Sequence, residues 1–229
     1  ANRFVYALGP DDRVAVVEFY DRVNLRNDFT TNGKVILHSI DASNGRGKTR
    51  LFDAIDFALD KLAREKGRRK AIIVLSDGVD SLAQSADRDQ LANMPDSKVP
   101  NGIAPDDYRP MADVLRKSDK FGVSIYPLAL PTGDPAKLAD PTARQIEMFR
   151  AARERFAFIA QRTGATIRTI NRLEDMGRLY AEVAADLRTL YTIDYQPLNY
   201  KRDGKWHAIK VEVTNPELIS RTRTGYFAR

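Results

Sequence analysis

The sequence predicts an α/β fold: a doubly wound, mostly parallel sheet with a C-terminal antiparallel β extension. Three observations carry this. Short apolar runs alternate with longer amphipathic stretches through residue 190, the rhythm of strands joined by crossover helices. One run, Lys70–Ser76 (KAIIVLS), is continuously apolar, as expected of a strand covered on both faces. Beyond residue 190 the strand-like runs are separated by Asp203-Gly204 and Asn215-Pro216, which are turn signals.

The elements follow in order. ANRFVYALGPDD reads as the last turns of a helix closed by Gly9-Pro10, not as a natural start; a beginning upstream of Ala1 is expected. Arg13–Val23 (RVAVVEFYDRV) is rich in Val and aromatics and reads as one strand. Thr30 or Thr31 is placed to cap a short segment through Ile40. Leu51, Ile55, Ala58, Leu59 and Leu62 fall on one helical stripe within Leu51–Glu65. Residues 81–105 are polar, contain Pro95, Pro100 and Pro105, and read as a long loop. Asp107–Lys117 reads as a helix and Gly122–Leu130 as a strand. Thr142–Thr163 reads as a long helix stopped by Gly164. Ala165–Ile170 then reads as a short strand and Leu173–Leu190 as a helix. In the extension, Tyr191–Gln196, Trp206–Val213 and Ile219–Phe227 are strand-like. His207, Ile209, Val211 and Val213 alternate with Ala208, Lys210 and Glu212, a period of two that implies one buried and one wet face.

Composition narrows the function classes. With no cysteine and only two histidines, His38 and His207, neither disulfides nor a thiolate or multi-imidazole metal site can form. The 37 Lys and Arg exceed the 31 Asp and Glu by six. This excess is spread out, densest at Arg64–Lys70 and Arg221–Arg223, without the aromatic-interleaved patch of a nucleic-acid binder. Partners of that class are not expected. No run reaches the roughly 18 consecutive apolar residues of a membrane span. No nucleophile with an adjacent base is visible either.

In an open parallel sheet, ligands bind beyond the carboxyl ends of the strands. Two loops belong there. One is Ser76-Asp77-Gly78-Val79-Asp80, where a carboxylate leaves a buried strand at a glycine turn; it can hold a hard cation directly or through water, or simply cap the turn. The other is Ala42–Thr49 (ASNGRGKT), a relaxed phosphate-loop pattern with Ala in place of the first Gly. It reads either as a glycine turn presenting Thr49 or as part of a nucleotide hydrolase using Lys48, Thr49 and Asp77. Against the second, the preceding Val35–Asp41 (VILHSID) is only half apolar. Asp80 and Ser81 read as loop-solubilising, Asp53 as favouring the helix dipole, Tyr191 and Tyr195 as packing the extension, and Trp206 as core.

Asp12–Phe19, then Gly47–Ile55, then Ile73–Gly78 together resemble three consecutive landmarks of the von Willebrand factor A domain. Tyr191 to Pro197 and Arg223 to Tyr226 are similar to the Tyr-x-x-x-Tyr-x-Pro and Arg-x-Gly-Tyr strands that end its bacterial related group. The resemblance spans nearly the whole chain. It implies an adhesion or protein-binding module without enzymatic activity, exported or envelope-anchored, whose bound Mg²⁺, or Mn²⁺ or Ca²⁺ in its place, takes an acidic residue from a protein partner. Thr49 would be the second-loop hydroxyl of that metal site. Asp77 would be the third-loop carboxylate, acting through water. The family's first motif, Asp-x-Ser-x-Ser, occurs nowhere in this sequence. The resemblance therefore places the central strand before Ala1. Residues 1–190 become an A-type domain without its first strand, 191–229 its β extension, and the metal site is incomplete and weak in this chain. A scaffold with a degenerate, metal-free site is the third reading.

Overall fold

The computed structural model describes residues 2–228 apart from 45, 46, 68, 133, 190, 192, 194 and 198–201. Helix α1 (Asn2–Ala7) leads into strands β1 (Val14–Phe19) and β2 (Val23–Thr30), which form an antiparallel hairpin. The single strand read over Arg13–Val23 therefore holds β1, the turn at Tyr20–Arg22, where the Tyr20 amide donates to the Arg22 carbonyl, and only the first residue of β2. That turn contains neither Gly nor Pro, so no breaker marks it. Helix α2 (Gly33–Asp41) is capped not by Thr30 or Thr31 but by Asn32, whose side chain accepts from the Lys34 and Val35 amides.

Helix α3 (Leu51–Ala63), strand β3 (Lys70–Ser76), helix α4 (Ser81–Ala92), helix α5 (Arg109–Phe121), strand β4 (Val123–Ala129), helix α6 (Ala143–Arg162), strand β5 (Arg168–Thr169) and helix α7 (Met176–Arg188) complete the α/β part. β3, β4 and β5 pair in parallel, with Lys70 opposite Val123 and Leu128 opposite Arg168. Alternate residues face opposite layers. Val74 and Ile125 pack with Leu51, Ile55 and Leu59 of α3 and with Met111 and Phe156. Ile73, Leu75, Tyr126 and Leu128 pack with Leu179 and Val183 of α7. This is the doubly wound layering that the continuous apolar run of β3 implies.

The sheet comes in two pieces. β1 pairs only with β2, and β3 only with β4, among the described residues. Both pieces share one core: Phe19 of β1 and Phe29 of β2 pack with the cluster that includes Val74 and the α3 leucines. β1 and β3 each therefore have one edge without a strand partner among the described residues, and β3 stays only half-buried along most of its length while β4, paired on both sides, is almost wholly buried.

The 81–105 loop is corrected by α4. Only Ala83, Asp87 and Leu91 of this helix are buried, one residue in four along a single stripe. One of the three is a carboxylate, so the apolar periodicity is broken where it is needed. Asp87 is neutralised in place by Arg155 of α6, which donates two hydrogen bonds of 2.6 Å to it, with both residues under 5% exposed. The 95–108 segment that follows is held from α6 as well. Glu147, 2% exposed, accepts from the amides of Asn101 at 3.0 Å and Ile103 at 2.9 Å, and from Arg150. Burial pushes its carboxyl up, but these donors outweigh that and hold it below its ordinary value of 4.5. A depressed carboxylate adds stability above its unfolded value and loses it as pH falls through the folded one. Exchange protection of the Asn101 and Ile103 amides, relative to the intrinsic rate at each pH, should therefore fall as pH drops below about 4.5, and Glu147→Gln should flatten that dependence.

The extension forms one small hairpin, β6 (Trp206–Ala208) against β7 (Gly225–Phe227), antiparallel. It has less strand than expected, although residues 207–212 do alternate between half-buried and exposed. A Cβ at Gly225 would lie 2.3 Å from the His207 carbonyl and 2.5 Å from the Trp206 ring, which explains the glycine of the Arg-Thr-Gly-Tyr run. Trp206 is 37% exposed rather than core. Its ring carries the Arg162 guanidinium 3.5 Å from its centroid, and Arg162 is paired with Asp119 at 2.8 Å. That stack pins the hairpin to α5 and α6. Tyr191 is 89% exposed and does not pack the extension, whereas Tyr195, 56% exposed, reaches it through a side-chain hydrogen bond with Tyr226 of β7; residues 192 and 194 of that expected strand lie outside the described residues. No described helix is long and apolar enough to cross a membrane.

Candidate functional site

β3 delivers Asp77 at its carboxyl end, and Gly78 turns the chain there. Gly78 has φ +88°, and a Cβ on it would stand 3.0 Å from the Phe156 ring. Only glycine fits both demands. Asp77 is half-buried. Its Oδ1 accepts from the Val79 amide at 3.0 Å, and its Oδ2 accepts from the Thr132 hydroxyl at 3.2 Å. The Ser76 hydroxyl accepts from the Gly78 amide at 3.1 Å. The third-loop carboxylate is therefore held by its own turn and by the loop after β4.

Asp80 and Ser81 are joints rather than solubilising residues. Asp80, 4% exposed, caps α4 by accepting from the Leu82 and Ala83 amides at 3.0 and 2.9 Å. Its second oxygen lies 3.4 Å from the Phe52 amide at the start of α3. Ser81 grips the other loop in both directions: its hydroxyl accepts from the Thr49 amide at 2.8 Å, and its amide donates to the Thr49 carbonyl at 2.9 Å. Thr49 and the Asp77 turn are brought together by these contacts, at one end of the sheet.

Two acidic residues from the β1–β2 hairpin fix the second loop from the opposite side. Asp21 accepts from the Lys48 amide at 2.8 Å, and its carboxylate fills the space a Cβ on Gly47 (φ +95°) would need. Buried Glu18 accepts from the Asn44 amide at 2.5 Å. A phosphate loop turns its backbone N–H groups toward an anion; here the Lys48 amide is already turned to Asp21. Gly45 and Arg46 lie outside the described residues. Sequence reasoning missed Asp21, Ser81 and Thr132. Asp21 carried a signal, an acidic residue following an apolar strand. Asp53 does sit in the first turn of α3 but is engaged by Arg50.

The oxygens gathered here are carboxylates and hydroxyls, the donors that hard cations take. Arg153 of α6 faces them. It donates to the Leu130 carbonyl and stacks on Phe149 at 5.0 Å. Burial pulls its guanidinium below the ordinary range, while Asp77 and Asp134 oppose that shift. Among the described residues no three acidic or histidine side chains lie close enough to share a metal ion. Thr49 and Asp77 would by themselves supply only two oxygen donors to a cation, not a whole coordination shell.

The family model described as von Willebrand factor type A domain matches residues 1–79, the stretch from α1 through Asp77 and Gly78. Among solved structures, the chain is similar to a von Willebrand factor type A protein from Catenulispora acidiphila, at TM-score 0.59 and 14% identity, covering 100% of this chain and 49% of that one. It therefore spans about half the length of that protein. It is also similar to an aerotolerance-related membrane protein from Bacteroides fragilis NCTC 9343, at TM-score 0.54 and 14% identity, covering 81% and 84% of the two chains. A third likeness is to the vWF domain of the type V pili tip protein Mfa5 from Porphyromonas gingivalis, at TM-score 0.53 and 13% identity, covering 85% and 88%. At such identities the likeness is one of fold. No curated protein is matched by sequence.

Proposed function

We propose, for a chain with the von Willebrand factor type A fold and that family's sequence over residues 1–79, a non-enzymatic protein-binding or adhesion module that grips an acidic residue of its partner through a divalent cation. The observation that carries this reading is the two-way hydrogen bond between Thr49 and Ser81. It sets a hydroxyl loop against the Asp77 turn at the end of the sheet where ligands bind. A cation held by hydroxyls and few carboxylates keeps positive charge for a partner carboxylate at its open position.

The remaining ligands belong to a strand that we place before Ala1. The two pieces of the sheet support this: β1 and β3 each lack a neighbour on one edge among the described residues while sharing the core with α3. Residues 1–190 are then the A-type domain without that strand, and residues 191–229 its extension. The cell envelope is the proposed location, as the similar proteins include a membrane protein and a pilus tip protein.

Three readings separate by one set of measurements on the full-length protein. Asp77→Ala should weaken Mn²⁺ or Mg²⁺ binding about 10–100-fold, the loss typical of a residue that orients a metal-bound group, without changing the fold by circular dichroism. Unaltered metal affinity would remove Asp77 from the site. Nucleotide binding abolished by Lys48→Ala would establish the hydrolase, which the Asp21 contact at the Lys48 amide disfavours. A stability and partner affinity that chelator leaves untouched would establish the metal-free scaffold.

A further inference from the structure

Arg153 of α6 brings a fixed positive charge to the Asp77 end of the sheet. Its Nη2 donates to the Leu130 carbonyl, and the amide of the same Leu130 donates to the Ser76 carbonyl at 2.9 Å, next to Asp77. Two residues beyond Leu130, the Thr132 hydroxyl donates to Asp77 Oδ2 at 3.2 Å. The guanidinium lies over the Phe149 ring, 5.0 Å from its centroid. The side chain is half-buried, and its Nη1 is buried without an acceptor. No carboxylate among the described residues forms an ion pair with it; Asp77 and Asp134 act on it only through space. A guanidinium does not deprotonate in a protein. The charge is therefore permanent, and being partly buried it is screened by salt much less than a surface charge.

We infer that Arg153 sets the cation affinity of the proposed Thr49–Asp77 site, and sets it low, because its charge opposes any cation that Asp77 attracts. The inference rests on the metal-binding reading above. Asp77 already has donors of its own in the Val79 amide and the Thr132 hydroxyl, so an ion competes with those bonds as well as with the guanidinium. The opposition is proportional to the charge that Arg153 faces. A divalent ion alone meets all of it, whereas an ion carrying a partner's carboxylate meets about half. The site thereby favours ion and acidic residue together over ion alone.

The test measures Mn²⁺ and Tb³⁺ affinity by calorimetry on the full-length protein and on its Arg153→Gln, Arg153→Lys and Asp77→Ala variants, at the site that Asp77→Ala weakens. Arg153→Gln should tighten Mn²⁺ about tenfold or more, and the logarithm of the gain should be about 1.5 times larger for Tb³⁺, in proportion to ion charge. Arg153→Lys keeps the charge but loses the planar fork, and its affinities should stay near those of the wild type. An Mn²⁺ affinity unaltered or weakened in Arg153→Gln overturns the inference. So does an equal gain in Arg153→Lys, or a gain no larger for Tb³⁺ than for Mn²⁺, since either marks a loosened turn and not a removed charge. Asp77→Ala keeps the two readings apart. If it weakens Mn²⁺ binding while Arg153→Gln changes nothing, the metal site stands and the role of Arg153 falls. If it leaves Mn²⁺ binding unaltered, the metal reading falls and takes this inference with it.

Discussion

Asp87→Ala should lower the stability of the chain by about 3–5 kcal/mol, the cost of stranding one member of a buried ion pair. Arg155 would keep its charge at 3% exposure with neither of its two 2.6 Å contacts. The Tyr108 ring beneath it, 5.3 Å from the guanidinium, offers only a weak substitute. The pair is also the main polar link between α4 and α6. In urea the unfolding midpoint should fall with little change in slope, the signature of lost stability rather than a changed denatured state. The double variant Asp87→Leu with Arg155→Met should recover most of the loss, since apolar replacements of a buried pair are often neutral or better. A single variant as stable as the wild type would show that α4 is not held by this pair.

Gly78→Val is the second large effect. A β-branched residue at φ +88° is strained by about 1–3 kcal/mol, and its Cβ would meet the Phe156 ring at 3.0 Å, adding about 1–3 kcal/mol of overpacking. Phe156 is 1% exposed and sits in the main core, so it has little room to yield. The variant either unfolds or moves the Asp77 turn away from Thr49. Crystallography or the amide shifts of residues 49 and 77–81 would distinguish the two. A variant with wild-type stability and unchanged shifts would contradict the argument.

The layered α/β core was legible because its signals are local. β3 is a continuous apolar run, and the stripe of α3 has all its large members buried. Thr142 was legible as the start of α6, and it makes a reciprocal cap with Gln145. What could not be read depends on long-range partners. Asp87 broke the stripe of α4 on paper and is satisfied only by a residue 68 positions away. The turn between β1 and β2 has no glycine or proline, so the strand was read on through the turn and most of β2 went unread. Asp80 and Ser81 read as solubilising their loop, whereas one caps α4 and the other bonds Thr49 across 32 residues. Of the candidate site, Thr49 and Asp77 were proposed from their loops, and the Thr49–Ser81 bonds set those two loops side by side. Thr132 and Arg153 were not, since nothing in their own neighbourhoods points across the molecule, and Asp21, which follows an apolar run, was absorbed into the strand read over Arg13–Val23.

The most direct measurement is a Mn²⁺ titration of the ¹⁵N-labelled full-length protein, because the paramagnetic ion broadens amides near wherever it sits. The amides of Thr49 and of residues 77–81 should broaden first, at concentrations that leave the acidic surface of α3 and α5 (Asp56, Asp60 and Asp113) sharp, and Asp77→Ala should abolish that selectivity. Broadening that begins at those helices, with Thr49 and Asp77 untouched, would contradict a shared cation site at this end of the sheet.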